Sequence, residues 1–450
     1  MQRQAGVLLH PTSLPNGVLD HHAWNFLDWM TEVGFSVWQM LPLTPPIEGI
    51  SPYHSDSVFA MNPKLLPDDW KQKFNQKKFE FYLKQPLGWL KDYALFKVLK
   101  KYFKNELWSQ WPEAYRDRNS DALVEFENKH IDEILIIKKE QFAISDLWQK
   151  FKHDANQKGI QLFGDMPIFV AYDSVDVWAN SNQFKLDENF NPTVVTGVPP
   201  DYFSEVGQRW GNPHYDWKVM EQDDFNWWIA RVRSTLSQFD VLRLDHFRGL
   251  EAVWEIDIAE ETAINGSWVK SPGAELLTKI QNSLSSLRLV AEDLGMITPE
   301  VVDLKNKFNL PGMSVLQFGF DGHADNPHSL HNQLENSIVY SGTHDNDTTL
   351  GWLNSLEKDT YDWISSQLPE CEDGMVWSVI MSAFNSSAKW AIIPMQDILG
   401  LDSNARMNVP GTIENNWLWK FNWSDLDSGV NNKVSKYIRN SERKISCEVT

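Results

Sequence analysis

Four segments of this chain end an apolar run on a carboxylate: LFGD at Asp165, LRLD at Asp245, LVAED at Glu292 and SGTHD at Asp345. The second is the most telling. In DVLRLDHFRGL, residues 240–250, a short apolar strand runs directly into Arg243, Asp245, His246 and Arg248. Side chains alternate along a strand, so Arg243 and Asp245 share one face while Leu242 and Leu244 take the other. Each acid taken alone has a bland account. Asp245 beside Arg243 also suits a buried, register-fixing ion pair. Glu292 competes with its neighbour Asp293, which suits a helix cap. Asp165 precedes Met166-Pro167 and suits a turn, and His344 beside Asp345 suits a satisfied polar residue. Together they are harder to explain by stability, because carboxylates brought together raise one another's pKa at a cost.

The chemistry that wants clustered carboxylates without a metal motif is glycosyl transfer. One acid attacks an anomeric carbon, and a second, kept protonated by its surroundings, donates to the leaving oxygen. Arg243 is expected to keep Asp245 ionised for that attack. No HExxH, Cys/His cluster, EF-hand loop, P-loop, GxGxxG or GxSxG pattern is present, so neither a metal nor a cofactor is expected.

Something must bring these acids to one place. GVLLH, SVWQMLPL, IQLFGD, DVLRLD, LRLVAED, SVLQFGF and IVYSGTHD read as buried strands. Helical segments alternate with them, which argues for a parallel sheet. Residues 24–33 carry Phe26, Leu27, Met30 and Val33 at helical spacing, with Gly34 suited to the residue past the helix end. In a parallel barrel every strand's C-terminal end opens on one mouth, so the four acids would converge there. From Asp245 to Glu292 is 47 residues and from Glu292 to Asp345 is 53, room for a crossover helix and a loop. Residues 66–155 interrupt the rhythm. They read as a mainly helical insertion, with a stripe through Leu90, Ala94, Leu95, Val98, Leu99 and Tyr102, a repeat of Leu147, Phe151 and Ala155, and Gly159 as the stop. The expectation is one catalytic α/β unit over residues 1–450, a (β/α)8 barrel with that insertion and substrate-covering loops, and no separate C-terminal β domain.

Composition narrows the partners. The chain has 450 residues and a formal net charge of −20, which argues against a nucleic-acid backbone. No apolar run reaches the length of a membrane span. The apolar stretch at Gly6–Leu9 is too short for a signal-peptide core, and two cysteines, Cys371 and Cys447, are too few for a disulfide framework. A cytoplasmic protein is expected. The 22 tryptophans are unusually many. Trp178, Trp210, Trp217, Trp254, Trp268 and Trp352 sit beside Gly, Pro, Asn or Asp rather than in apolar periodicity, so sugar stacking competes with core packing as their role.

LRLDHFRG, AEDLG and SGTHDNDTTLGW resemble the catalytic segments of the 4-α-glucanotransferases called amylomaltases or disproportionating enzymes, glycoside hydrolase family 77 of the α-amylase clan. The likeness continues in family order through GVLLHPTSLP, WQMLPL, SPYHSDSVFAMNP, GDMPIFVAYDSVDVWAN, GVPPDYFSEVGQRWGNPHYDW, LPGMSVLQFGFDG and ARMNVPGT. It implies Asp245 as nucleophile, Glu292 as general acid/base and Asp345 as transition-state stabiliser. Arg243 and His344 match substrate-binding neighbours of these acids. Ser51 and Tyr53 match a loop touching donor and acceptor sugars, and Trp210 an aromatic on the acceptor side. Asp165, Asp321, Asn408 and Pro410 match further lining residues. The chain departs from the family at VLDHHA after SLPNG, at Asp257-Ile258 after VWEI, and at Trp419-Lys420. None of these touches the acids.

The activity so implied is retaining transfer of part of an α-1,4-glucan, a maltooligosaccharide, to the 4-OH of another glucan or of glucose. No cofactor, nucleic acid or membrane partner is implied. Two covering segments, Ser51–Ser57 and 254–273, are the candidates for excluding water. A retaining α-glucan hydrolase would use the same three acids, so the motifs leave it open. A non-catalytic glucan-binding scaffold would be expected to have lost one of them.

Overall fold

The computed structural model describes residues 3–47, 51–200, 204–285, 287–412 and 414–443. Among them, eight parallel strands alternate with helices: β1 (Gln4–Leu8), β2 (Val37–Gln39), β3 (Gln161–Pro167), β4 (Val241–Asp245), β5 (Leu289–Ala291), β6 (Gly312–Val315), β7 (Ser337–Tyr340) and β8 (Trp390–Pro394). The sheet runs β6-β7-β8-β1-β2-β3-β4-β5. Its two edges meet where the Ala291 amide donates to the Pro311 carbonyl at 2.9 Å. The result is a nearly closed (β/α)8 barrel.

Strand alternation sorts the side chains into two layers. Leu8, Val37, Phe163, Val290, Met313, Val315, Ile338, Tyr340, Trp390 and Ile392 fill the barrel. Leu162, Leu242, Leu244, Val339 and Ile393 face outward and pack with helix residues such as Phe26 and Val232. Arg243 and Asp245 therefore lie on the barrel side of β4, in line with the alternation read from the sequence. Gly6 is required inside: a Cβ there would sit 2.4 Å from Ile392 Cδ1 and 2.7 Å from the Val37 carbonyl oxygen.

Local chemistry sets the element ends. Helix His21–Val33 starts where the Asp20 carboxylate accepts the His22 amide, and it stops at Gly34, whose φ of 103° is left-handed. SVLQFGF is a strand only in its first two residues. β6 is Gly312–Val315, and Leu316–Phe318 is a single turn of 3₁₀-helix. Between β2 and β3 lie helices Gln76–Tyr82, Gly88–Tyr102, Ser120–Lys129 and Ile131–Gln157. Leu90, Ala94, Leu95, Val98 and Leu99 are buried, whereas Tyr102 is exposed at its helix end. The long last helix packs on the barrel through Trp148 against Phe239 and Phe151 against Trp38.

Residues 254–273 are about half strand rather than loop alone. Strands Ala252–Asp257 and Gly266–Lys270 form a hairpin in a four-stranded antiparallel sheet with Val194–Val198 and Gln208–Pro213. The hairpin begins seven residues after Asp245, and the sheet carries Trp210 on an edge strand. Among the described residues no helix is long and apolar enough to cross a membrane. Cys371 is a free thiol 2.9 Å from the Tyr437 hydroxyl. Cys447 lies outside the described residues.

Candidate active site

Arg243 is the hub. Register pairs it with Asp165 on β3, and its Nη1 donates to Asp165 Oδ2 at 2.6 Å while Nη2 lies 2.9 Å from Asp245 Oδ1. Arg243 and Asp165 are buried. Against the cost of burial, Asp165 and Asp245 push the guanidinium further above its ordinary range, so it stays charged. Asp245 does not follow the sequence expectation of a carboxyl held low by Arg243. Burial outweighs the guanidinium, and the charges of Asp165, Glu292 and Asp345 add to it, so the carboxyl is pushed up to about 7. Arg243 divides its charge between two acids, which is why it cannot offset the crowding alone. Asp165 does not begin a turn; it lies inside β3.

Glu292 follows β5 and is buried. Its Oε1 accepts the Leu294 amide at 2.9 Å and its Oε2 accepts the His246 amide at 2.7 Å. Burial raises its pKa, opposed by Arg243 and these two amides. Asp293, its rival in the sequence, serves the fold instead, accepting from Lys305 Nζ at 2.5 Å and from the Met313 amide at 2.7 Å.

Asp345 sits in the loop after β7. Its Oδ1 accepts from Asn408 Nδ2 at 2.6 Å, its Oδ2 lies 3.3 Å from His344 Nε2, and Arg406 grips its carbonyl at 2.6 Å. Its partial burial would raise the carboxyl, but the His344 charge and hydrogen bond, then Asn408 and Arg243, hold it well below the usual carboxylate range. In return Asp345 raises the His344 imidazole, although burial works against it. Tyr53 closes the ring. Its hydroxyl donates to Asp165 Oδ2 at 2.7 Å and lies 2.8 Å from His344 Nε2. Its ring stacks on His344 with centroids 5.2 Å apart.

Arg243, Asp245, Glu292, Asp345, His344, Asp165, Tyr53 and Asn408 thus form one hydrogen-bonded and electrostatically coupled group. Trp210 joins from the antiparallel sheet. Its ring is 37% exposed and meets the His246 ring edge-on at 4.7 Å. Ser51 lies two residues before Tyr53 in the same loop, and its carbonyl accepts the His54 amide at 3.3 Å. Asp321 is exposed and accepts the amide of His323 in its own loop at 2.9 Å. Pro410 is exposed two residues beyond Asn408. Neither of these two is drawn into the group by a hydrogen bond or ion pair.

Sequence reasoning missed Arg406, the His246 amide, and Asp397. The buried Asp397 accepts from Ser341 Oγ at 2.6 Å and from the Thr349 amide and hydroxyl, each at 2.7 Å, so it pins both ends of the loop bearing Asp345. Proximity to Asp245 was the one available signal for His246. For Asp397 there was none. Asp20, His21 and His22 are the one His/Asp trio close enough to share an ion among the described residues. Asp20 accepts from Asn16 Nδ2 and the His22 amide, and His22 Nδ1 accepts from Trp423 Nε1.

The sequence model of glycoside hydrolase family 77, 4-alpha-glucanotransferase, matches residues 8–69 and 65–425. The chain belongs to that family. It is 41% identical to the 4-alpha-glucanotransferase of Thermus thermophilus, over 93% of this chain and 95% of that one. It is 40% identical to a chloroplastic/amyloplastic 4-alpha-glucanotransferase of Arabidopsis thaliana, over 93% of this chain and 81% of that one. Among solved structures, the amylomaltase of Streptococcus agalactiae in complex with acarbose superposes with a TM-score of 0.95 at 32% identity, covering 98% of this chain and 100% of that one.

Proposed function

We infer that this chain is a retaining 4-α-glucanotransferase in which Asp245 is the nucleophile. It acts on α-1,4-glucans as donor and acceptor. The observation that carries the assignment of residues is their placement: Asp245 lies 2.9 Å from Arg243 Nη2, Glu292 accepts the amide of the next residue, His246, at 2.7 Å, and Asp345 lies against His344 in the network that Tyr53 closes. Asp245 Oδ attacks C1 of a glucosyl unit while Glu292 gives its proton to the departing O4, and the C1–O4 bond breaks. Burial of Glu292 favours the protonated form that this step needs. Asp345, held ionised by His344 and Asn408, faces the oxocarbenium-like charge as it develops. The shortened glucan leaves. An acceptor glucan enters, Glu292 takes the proton from its 4-OH, and O4 displaces Asp245 from C1. Two inversions give net retention of the α-linkage.

Transfer rather than hydrolysis follows if a bound acceptor outcompetes water by effective concentration. Trp210, Ser51 and the hairpin 252–270 are assigned to the acceptor side, and Asp165, Tyr53 and His344 to the sugar bound over Asp245. Asp321 and Pro410 are assigned to outer lining positions reached by longer glucans. The helices between β2 and β3 belong to the same catalytic unit, since Lys97 pairs with Asp56 in the Tyr53 loop. The cysteine-poor sequence supports a cytoplasmic location, which cell fractionation tests. Incubation with maltotriose tests the activity. Glucose plus a ladder of longer chains is expected, whereas release of reducing ends without elongation would mark a hydrolase.

A further inference from the structure

His246, the residue after the nucleophile, has φ 52° and ψ 51°, left-handed backbone that a non-glycine residue adopts at a cost. Several other non-glycine residues have positive φ among the described residues, but none of them adjoins a site carboxylate in sequence. A backbone outlier at such a place points to a functional role. In extended backbone, successive amides point to opposite sides. A left-handed residue turns them to the same side, as in anion-binding backbone nests. Here the His246 amide donates to Glu292 Oε2 at 2.7 Å and the Phe247 amide donates to the Glu292 carbonyl at 3.1 Å. The Glu292 amide in turn donates to the Leu244 carbonyl at 3.0 Å. The turn after β4 therefore grips Glu292 by both its side chain and its main chain.

We propose that His246 is a positioning residue whose left-handed backbone, rather than its imidazole, clamps Glu292 in place beside Asp245. This rests on the assignment of Glu292 as acid/base. The imidazole offers little instead: burial keeps it neutral, pushing its pKa down to about 3, and its Nε2 has no hydrogen-bond partner among the described residues. Its ring contacts are with Trp210 and Phe169. The ionisable groups that face Glu292 are Arg243 and Asp245 on β4 and Asp293 beside it. None of them is changed by replacing His246. An amide hydrogen bond favours the carboxylate form, so its loss raises the acid/base pKa.

The test compares His246→Gly, His246→Asn and His246→Val, with thermal melting of each. Glycine and asparagine tolerate left-handed backbone and a β-branched residue does not. The expected result is kcat/KM for maltotriose about tenfold or more higher in the Gly and Asn variants than in the Val variant. The basic limb of the pH profile should move up by about half a unit or more in the Val variant alone. If His246→Val does not fold, His246→Ala takes its place with the same directions. Equal losses in all variants, or an unmoved limb in the Val variant, would overturn the proposal. Glu292→Gln separates the two levels of inference. Full activity of that variant on maltotriose would overturn the acid/base assignment itself, whereas an inactive Glu292→Gln with unmoved His246 limbs overturns the clamp alone.

Discussion

Asn408 offers a sharp perturbation because it makes one well-placed bond to Asp345, the acid proposed as stabiliser. Its Nδ2 donates to Asp345 Oδ1 at 2.6 Å. Asn408→Ala deletes that donor and leaves His344, 3.3 Å from the other oxygen, as the remaining side-chain partner. A hydrogen bond to a charged group contributes roughly 1.5–3 kcal/mol. The Asp345 side chain keeps 46% of its surface exposed, so water can replace part of the loss, and the lower end of that range applies. About 1.5 kcal/mol corresponds to roughly a tenfold fall in rate. The loss should appear in kcat, because the oxocarbenium-like charge that Asp345 faces exists only in the transition state. Asn408→Asp should be worse than Asn408→Ala, since a second carboxylate raises the pKa of Asp345 instead of merely ceasing to lower it. Glucose release from maltotriose, fitted for kcat and KM separately, measures both variants. A change in kcat of less than about twofold, or a loss confined to KM, would refute the reasoning.

Three further outcomes follow from the same geometry. Because burial pushes Asp245 up to about 7 and attack needs the carboxylate, kcat/KM should rise with pH through about 7; a profile flat down to about pH 5 contradicts that role. Trp210→Ala removes a half-exposed ring on the antiparallel sheet and should raise the acceptor KM by about five- to tenfold, with cleavage of α-maltosyl fluoride in the absence of acceptor little changed. Gly6→Ala forces a methyl against Ile392 and the Val37 carbonyl inside the barrel and should cost about 1–3 kcal/mol of stability, read as a lowered Tm.

Strand rhythm and alternation carried most of the architecture. They placed seven of the barrel strands and the inward face of Arg243 and Asp245. β8, Trp390–Pro394, was not among them; a short continuous apolar run carries no periodicity to separate strand from helix. The antiparallel sheet escaped for a different reason. Its strands are interrupted by Gly, Pro and Trp, so Gly266–Lys270 read as a covering loop although it pairs locally with Ala252–Asp257. The acids were legible as a set because each lies toward or just beyond the C-terminal end of a strand that a barrel must align. Their protonation was not: whether Arg243 or burial decides Asp245 depends on Asp165 taking half of the guanidinium. The His246 grip on Glu292 depends on a backbone angle that residue type does not encode.

The central claim is that Asp245 becomes covalently bonded to sugar. Glu292→Gln enzyme mixed with α-maltosyl fluoride should accumulate the intermediate, since fluoride leaves without an acid while the acceptor 4-OH lacks its base. Peptide mass spectrometry of the quenched mixture should find the added maltosyl mass on the fragment containing Asp245. Label on Asp165 or Asp345, or no covalent label despite fluoride release, would contradict the account.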